Sequence, residues 1–180
     1  MMEGFTRAEL LNRLRRLDED VDLLFEDNRR FRLVIVGGSA LILLETIVRA
    51  THDIDALDAS AEIMELLEKY DINTRVATYI NNFPYNYDDR LVPLDIGGKR
   101  IDFFTASLED IVIAKLCSAR PTDRQDVIDA KVLKALDWER LHILATAEDE
   151  AKASALNDFR YKEFRETYDE YVRRYGPCGN

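Results

Sequence analysis

Cysteine is nearly absent from this chain: among 180 residues there are two, Cys117 in a helical stretch and Cys178 in the tail. Two thiols so placed form neither a disulfide framework nor a zinc knuckle, so the core must hold the fold. Both read as bland, Cys178 as a free surface thiol. Long apolar runs are also missing. The longest stretches, Leu33 to Val36 and Ala40 to Leu44, fall far short of the roughly 20 residues that cross a bilayer. The first residues carry no basic segment leading into an apolar run, so no secretory signal is expected. Positive charge is in deficit as well, 25 basic against 35 acidic side chains for a net charge of −10. No global field draws such a chain to a phosphate backbone or an anionic lipid, and a polyanionic partner would need a local basic patch. The expectation is a soluble, cytoplasmic protein with no membrane partner.

What is present is a substantial apolar fraction, 47%, enough to bury the core of one domain plus an appendage. Thr6 and Glu9 have capping-box spacing, and Leu10, Leu14, Leu17, Val21 and Phe25 recur at helical spacing, which predicts a first helix running to about Arg29. Leu33-Val34-Ile35-Val36 reads as a buried strand entering a glycine turn, with helix from Ser39. A second strand is expected over Asp53 to Asp58 and a helix over Ser60 to Tyr70. A loop follows at Asn81 to Asp89, then two strands around Gly97-Gly98 as a hairpin. Beyond Thr105 four helices are expected: Ser107 to Ala119, Thr122 to Leu136 started by a capping box of Thr122 and Gln125, Trp138 to Glu150, and Asn157 to Tyr175. The break at Arg120-Pro121 divides a core, residues 1–120, from a helical C-terminal region, residues 121–180. There is no internal repeat.

The chemistry-bearing residues cluster early. Gly37-Gly38-Ser39 joins a strand to a helix, where backbone N–H groups can approach a phosphate and the helix dipole favours the anion. A plain strand-to-helix turn capped by Ser39 fits the same residues. In Asp53-Ile54-Asp55 the strand period of two puts both carboxylates on one face, suited to a hard divalent cation, while Asp58 reads as a strand end. Asp102 lies in an otherwise apolar strand, where an unpaired carboxylate costs several kcal/mol. A cation shared with Asp53 and Asp55 would remove that penalty and place a general base by an acceptor hydroxyl. A strand-edge acid paired with Arg100 or another cation is the competing reading, and Asp95 competes as third acid. Lys115 falls on the apolar stripe of its helix, where three fates stand open: contact with a triphosphate, a pair with Asp126, or an amine reaching back to water.

Taken together, Gly37-Gly38-Ser39-Ala40-Leu41, the string Arg49-Ala50-Thr51-His52-Asp53-Ile54-Asp55, Asp102, and Lys115-Leu116 followed by Asp126 and Asp129 resemble the minimal nucleotidyltransferases of the AbiEii type. These are toxin components of bacterial type IV toxin–antitoxin and abortive-infection systems. The resemblance covers roughly residues 30 to 135. It implies an α/β (α+β) nucleotidyltransferase fold, a small mixed sheet flanked by helices. It implies Mg2+ or Mn2+ held by Asp53, Asp55 and Asp102, with a nucleoside triphosphate as co-substrate at Gly37, Gly38, Ser39, Arg49 and Thr51. By the same carry-over Lys115 contacts the nucleotide and Asp126 supports it. The implied reaction moves a nucleoside monophosphate to an RNA end, a protein or a small molecule, and an antitoxin is the implied protein partner. Two features depart from the pattern: the C-terminal region is short, and the acidic balance leaves only Arg29, Arg30, Arg32, Arg49, Lys99 and Arg100 to form a basic patch. A catalytically inactive module that binds nucleotide or a protein partner is the alternative from another functional class.

Overall fold

In the computed structural model, which describes residues 4–177, the chain is a mixed α/β protein. It divides into two compact units, residues 1–78 with 91–106 and residues 79–90 with 107–180. The division therefore falls after Ala106 rather than at Arg120-Pro121, and residues 79–90 leave the first unit for the second. An ion network explains that transfer: Arg90 grips Asp110 and Glu150, both in the helical unit.

The first unit holds a five-stranded sheet in the order β3-β2-β1-β5-β4. Helix α1, Arg7–Leu24, begins at the expected capping box: Thr6 N–H donates to Glu9 Oε2 at 2.7 Å and Glu9 N–H donates to the Thr6 hydroxyl at 3.5 Å. Its stripe of Leu10, Leu14, Leu17 and Val21 is fully buried, each side chain contributing on the order of 2 kcal/mol. The helix stops short of Arg29 because Phe25 turns extended and packs its ring, tilted, against Phe31, ring centres 4.7 Å apart. Strand β1, Phe31–Val36, lies mid-sheet and passes directly into helix α2, Gly37–Leu43. Strand β2, Ile54–Ala59, pairs antiparallel with β1, with Val36 opposite Asp55 and Val34 opposite Asp58. A 3-10 turn and helix α3, Met64–Lys69, lead to the two-residue strand β3, Ile72–Asn73, parallel to β2.

Strands β4, Val92–Pro93, and β5, Ile101–Thr105, form the expected antiparallel hairpin, and β5 also runs parallel to β1. Gly97 has φ +74, a left-handed conformation natural to glycine. The far side of this turn is fastened by Asp18 of α1. Its buried carboxylate accepts from the backbone N–H groups of Lys99, Arg100 and Ile101 at 2.7 to 2.8 Å. Three backbone donors satisfy an acid that would otherwise be costly to bury.

The second unit is helical: α4, Leu108–Leu116; α5, Pro121–Val127; α6, Ala130–Ala135; α7, Trp138–Thr146; α8, Ala151–Ser154; and α9, Asp158–Tyr175. The helix expected over Thr122 to Leu136 is two helices. The capping box of Thr122 and Gln125 does not form, because Pro121 takes the first helical position, which suits its fixed φ and missing N–H. Asp129 then caps α6 by accepting from Lys131 N–H. Phe164, Tyr168 and Tyr171 form the buried face of α9, and the Tyr171 hydroxyl donates to the Val127 carbonyl at 2.7 Å. Cys117 carries a free thiol; Cys178 lies outside the described residues. Among the described residues no helix is long and apolar enough to cross a membrane.

Candidate active site

Strand β1 delivers the chain to the glycine turn, and strand β2 delivers Asp55 beside it. Gly37 has φ +68, and a Cβ there would come 2.7 Å from Asp55 Oδ2. Gly38 is equally crowded: a Cβ there would collide with the Arg49 guanidinium. The two glycines are thus the condition for bringing a carboxylate and a guanidinium against one turn. Ser39 is buried and braces the arrangement, donating to the Val36 carbonyl at 2.9 Å and accepting from Asp55 N–H at 3.3 Å. Thr51 is also buried, and its hydroxyl donates to the Asp53 carbonyl at 3.2 Å. Both hydroxyls stiffen the chain around the acids. Asp53 is exposed just ahead of β2.

Asp55 has a partner that sequence reasoning did not identify. Asn73, opposite it on β3, donates from Nδ2 to Asp55 Oδ1 at 3.0 Å. The other oxygen, Oδ2, is the one that a Cβ at Gly37 would meet. A two-residue strand gives no periodic signal, so only the sheet register reveals Asn73.

Asp102 does not join the other acids. On β5 it stands opposite Arg32, near the start of β1, whereas Asp55 stands opposite Val36 at its end. Four strand residues separate those levels, roughly 13 Å. Its carboxylate is 45% exposed and receives the Arg30 guanidinium through Nε and Nη2, the latter at 2.5 Å. Those hydrogen bonds with Arg30 hold its pKa below the usual carboxylate range against the opposing effect of burial. The edge-pair reading therefore describes Asp102, with Arg30 rather than Arg100 as its cation. The β5 residues that reach the level of the glycine turn are Thr105, opposite Ile35, and Ala106, and neither is an acid. Among the described residues no three acidic, histidine or cysteine side chains converge as metal ligands. The two acids Asp53 and Asp55 remain. Magnesium is commonly bound through one or two carboxylates plus substrate phosphates and waters, so this donor set suits a cation that arrives with a triphosphate and not a three-carboxylate cage. Asp102→Asn is accordingly expected to change nucleotide binding and turnover less than about twofold, the ordinary yield of losing an exposed ion pair. Equilibrium binding with a labelled nucleotide checks this, and a hundredfold loss would return Asp102 to the site.

Five of the six basic residues expected to form a patch face an acid. Arg29 meets Asp27, Arg30 meets Asp102, Arg32 meets Asp58, and Lys99 and Arg100 meet Asp22. At those five positions the charge that would attract a polyanion is locally offset.

In the helical unit Lys115 is buried between two carboxylates, Asp123 at 2.5 Å and Asp126 at 2.9 Å. The Asp126 pair is one of the fates its sequence position left open; Asp123 was missed. Pro121 as the first helical residue puts Asp123 and Asp126 three apart on one face of α5, and that spacing is the signal that identifies both. Burial alone would raise the Asp123 pKa, but hydrogen bonding and charge from Lys115 outweigh it and hold the group low.

Comparison with curated proteins finds no match, and comparison with solved structures finds none. A family model does match, over residues 12–176, and its description is a nucleotidyltransferase of unknown function (DUF6036). That span includes the whole sheet, the glycine turn, Asp53, Asp55 and the helical unit, and the chain belongs to this nucleotidyltransferase family.

Proposed function

We propose that the chain is a magnesium-dependent nucleotidyltransferase of the AbiEii type that moves a nucleoside monophosphate from a nucleoside triphosphate to an acceptor, with pyrophosphate leaving. The observation that carries this reading is the convergence of Asp55 Oδ2 and the Arg49 guanidinium on the Gly37-Gly38 turn. A cation-binding oxygen and a phosphate-binding fork meet where the backbone has no Cβ to block approach. Asp53 and Asp55 would hold the metal. Magnesium bound there would neutralise charge on the phosphate oxygens and so favour displacement. Asn73 fixes the Asp55 carboxyl plane, Ser39 fixes the turn, and Arg49 orients a phosphate. Asp102 has no part in this version of the mechanism. The acceptor is an RNA end, a protein side chain or a small molecule. A toxin role in the cytoplasm, restrained by an antitoxin, accompanies the reading.

A second reading has its own support. Because Asp102 is drawn into the Arg30 pair, the acid expected to activate an acceptor is not beside Asp55. A module that binds nucleotide without transferring it fits that arrangement. One experiment separates the two. Purified protein is incubated with each α-labelled nucleoside triphosphate, magnesium and total bacterial RNA or protein, beside an Asp53→Asn/Asp55→Asn variant. Label moved to any acceptor by the unaltered protein alone is the expected result. Magnesium-dependent binding without transfer selects the binding module; no binding at all overturns both readings.

A further inference from the structure

The helical unit contains an open cavity of about 440 Å³, within the range of small-molecule sites. Its lining mixes aromatic rings, carboxamides and a cation. Phe164 is buried, Tyr161 lies with its ring centre 6.2 Å from that of Phe164, and Tyr79 at the rim is 64% exposed. Tyr161 is positioned by its hydroxyl, which donates to the Ala145 carbonyl at 3.1 Å. Asn81 and Asn82 also line the cavity. Their backbone carbonyls accept from Ser154 and Cys117, while their side-chain amides have no hydrogen-bond partner among the described residues.

Charge in the cavity is uneven. Arg160 is neutralised by Glu163 at 2.9 Å, but Arg124 meets no carboxylate among the described residues. Arg124 also borders a second hollow of about 210 Å³, where Arg174 is already paired with Glu170 and Lys115 with Asp123 and Asp126. Arg124, with no acidic partner among the described residues, thus borders both spaces.

Aromatic faces accept a planar ring whatever its identity, carboxamides read the donor and acceptor edge of a base, and an unpaired guanidinium takes a phosphate. We infer that this cavity is a mononucleotide site, taking a base against Tyr161 and Phe164, its edge at Asn81 and Asn82, and its phosphate at Arg124. The inference goes beyond the proposed transfer and does not rest on it: none of these residues belongs to the glycine turn or the acid pair.

The test uses the full chain carrying Asp53→Asn and Asp55→Asn, with chelator present, so that a triphosphate site at the glycine turn contributes nothing. Titration calorimetry with adenosine, guanosine, cytidine and uridine monophosphates is expected to give saturable binding of at least one at Kd below about 1 mM. Arg124→Ala should weaken it about tenfold or more, the usual loss for a charge-assisted phosphate contact. Asn81→Ala with Asn82→Ala should reduce the preference among bases, and Tyr79→Ala should weaken all four. Circular dichroism confirms that these surface variants fold. No binding of any monophosphate overturns the inference, as does binding indifferent to Arg124→Ala. Competition by inorganic phosphate as effective as that by the nucleotide also overturns it, since the rings would then play no part. Binding of a short single-stranded RNA without binding of any monophosphate overturns it too, in favour of an RNA groove.

Discussion

Arg90→Ala is expected to destabilise the helical unit by about 3–5 kcal/mol, the range for breaking a buried ion network by removing one partner. Arg90 is the shared cation of two carboxylates. Its Nη2 and Nε reach Asp110 at 2.9 and 3.2 Å, and its Nη1 and Nη2 reach Glu150 at 2.8 and 3.0 Å. Asp110 has no exposed side-chain surface, and it also accepts from the Ser107 hydroxyl at 2.6 Å at the start of α4. Burial works against the guanidinium charge, yet hydrogen bonds and charge from Asp110 and Glu150 outweigh it and raise the pKa further above its already high value. With Arg90 gone, two carboxylates stay buried side by side without the cation that pairs them. Lysine is a poor replacement because one ammonium cannot serve both acids with a planar fork. Urea unfolding followed by circular dichroism reads the loss directly. An unchanged midpoint would show the network to be superficial. Replacing all three groups together with Met, Leu and Met should recover much of the stability, because the penalty lies in the unpaired charge and not in the missing atoms.

The second large effect is expected at Gly37→Ala. A left-handed φ costs a residue with a Cβ roughly 1–2 kcal/mol, so the protein should remain folded. The activity should not survive as well, since the new methyl would lie 2.7 Å from Asp55 Oδ2. With Oδ1 held by Asn73, the carboxyl group must turn as a whole or the turn must open. Displacement of about 1 Å at a reacting centre reduces rates by on the order of 100-fold, and that is the expected fall in nucleotide transfer. Gly38→Ala meets the far end of a long side chain, Arg49, instead and should be milder. Thermal melting together with the labelled-transfer assay tests the pair; a Gly37→Ala protein that transfers at the original rate would remove Asp55 from the mechanism.

The parts of the site that sequence revealed are those encoded locally. A glycine pair after an apolar run, an acid in the strand that follows and a capping box at Thr6 each depend on neighbours within a few residues, and the turn, the strand and the cap form where local chemistry puts them. Asp102 shows the limit. Alternation along β5 correctly suggests a strand, but which level of β1 it meets is decided by register, a property of two distant segments. The same limit hid Asn73 and Asp18, whose roles appear only when β3 and the Gly97-Gly98 turn are docked. The unit boundary was misplaced because Pro121 is a conspicuous break in the chain, whereas Arg90 reveals its allegiance only through partners 20 and 60 residues away.

The pairing of β1 with β5 also sets an order of events during synthesis. Strand β1 leaves the ribosome some seventy residues before β5, to which it is hydrogen-bonded from Phe31 to Ile35. Until then one edge of this apolar strand has no neighbour, and Asp18 waits for the three amides that satisfy it. Until β5 has emerged, the nascent chain therefore presents an open strand edge to solvent, the kind of template that chaperones shield. Sheet closure is a long-range event, the class of contact that slows folding.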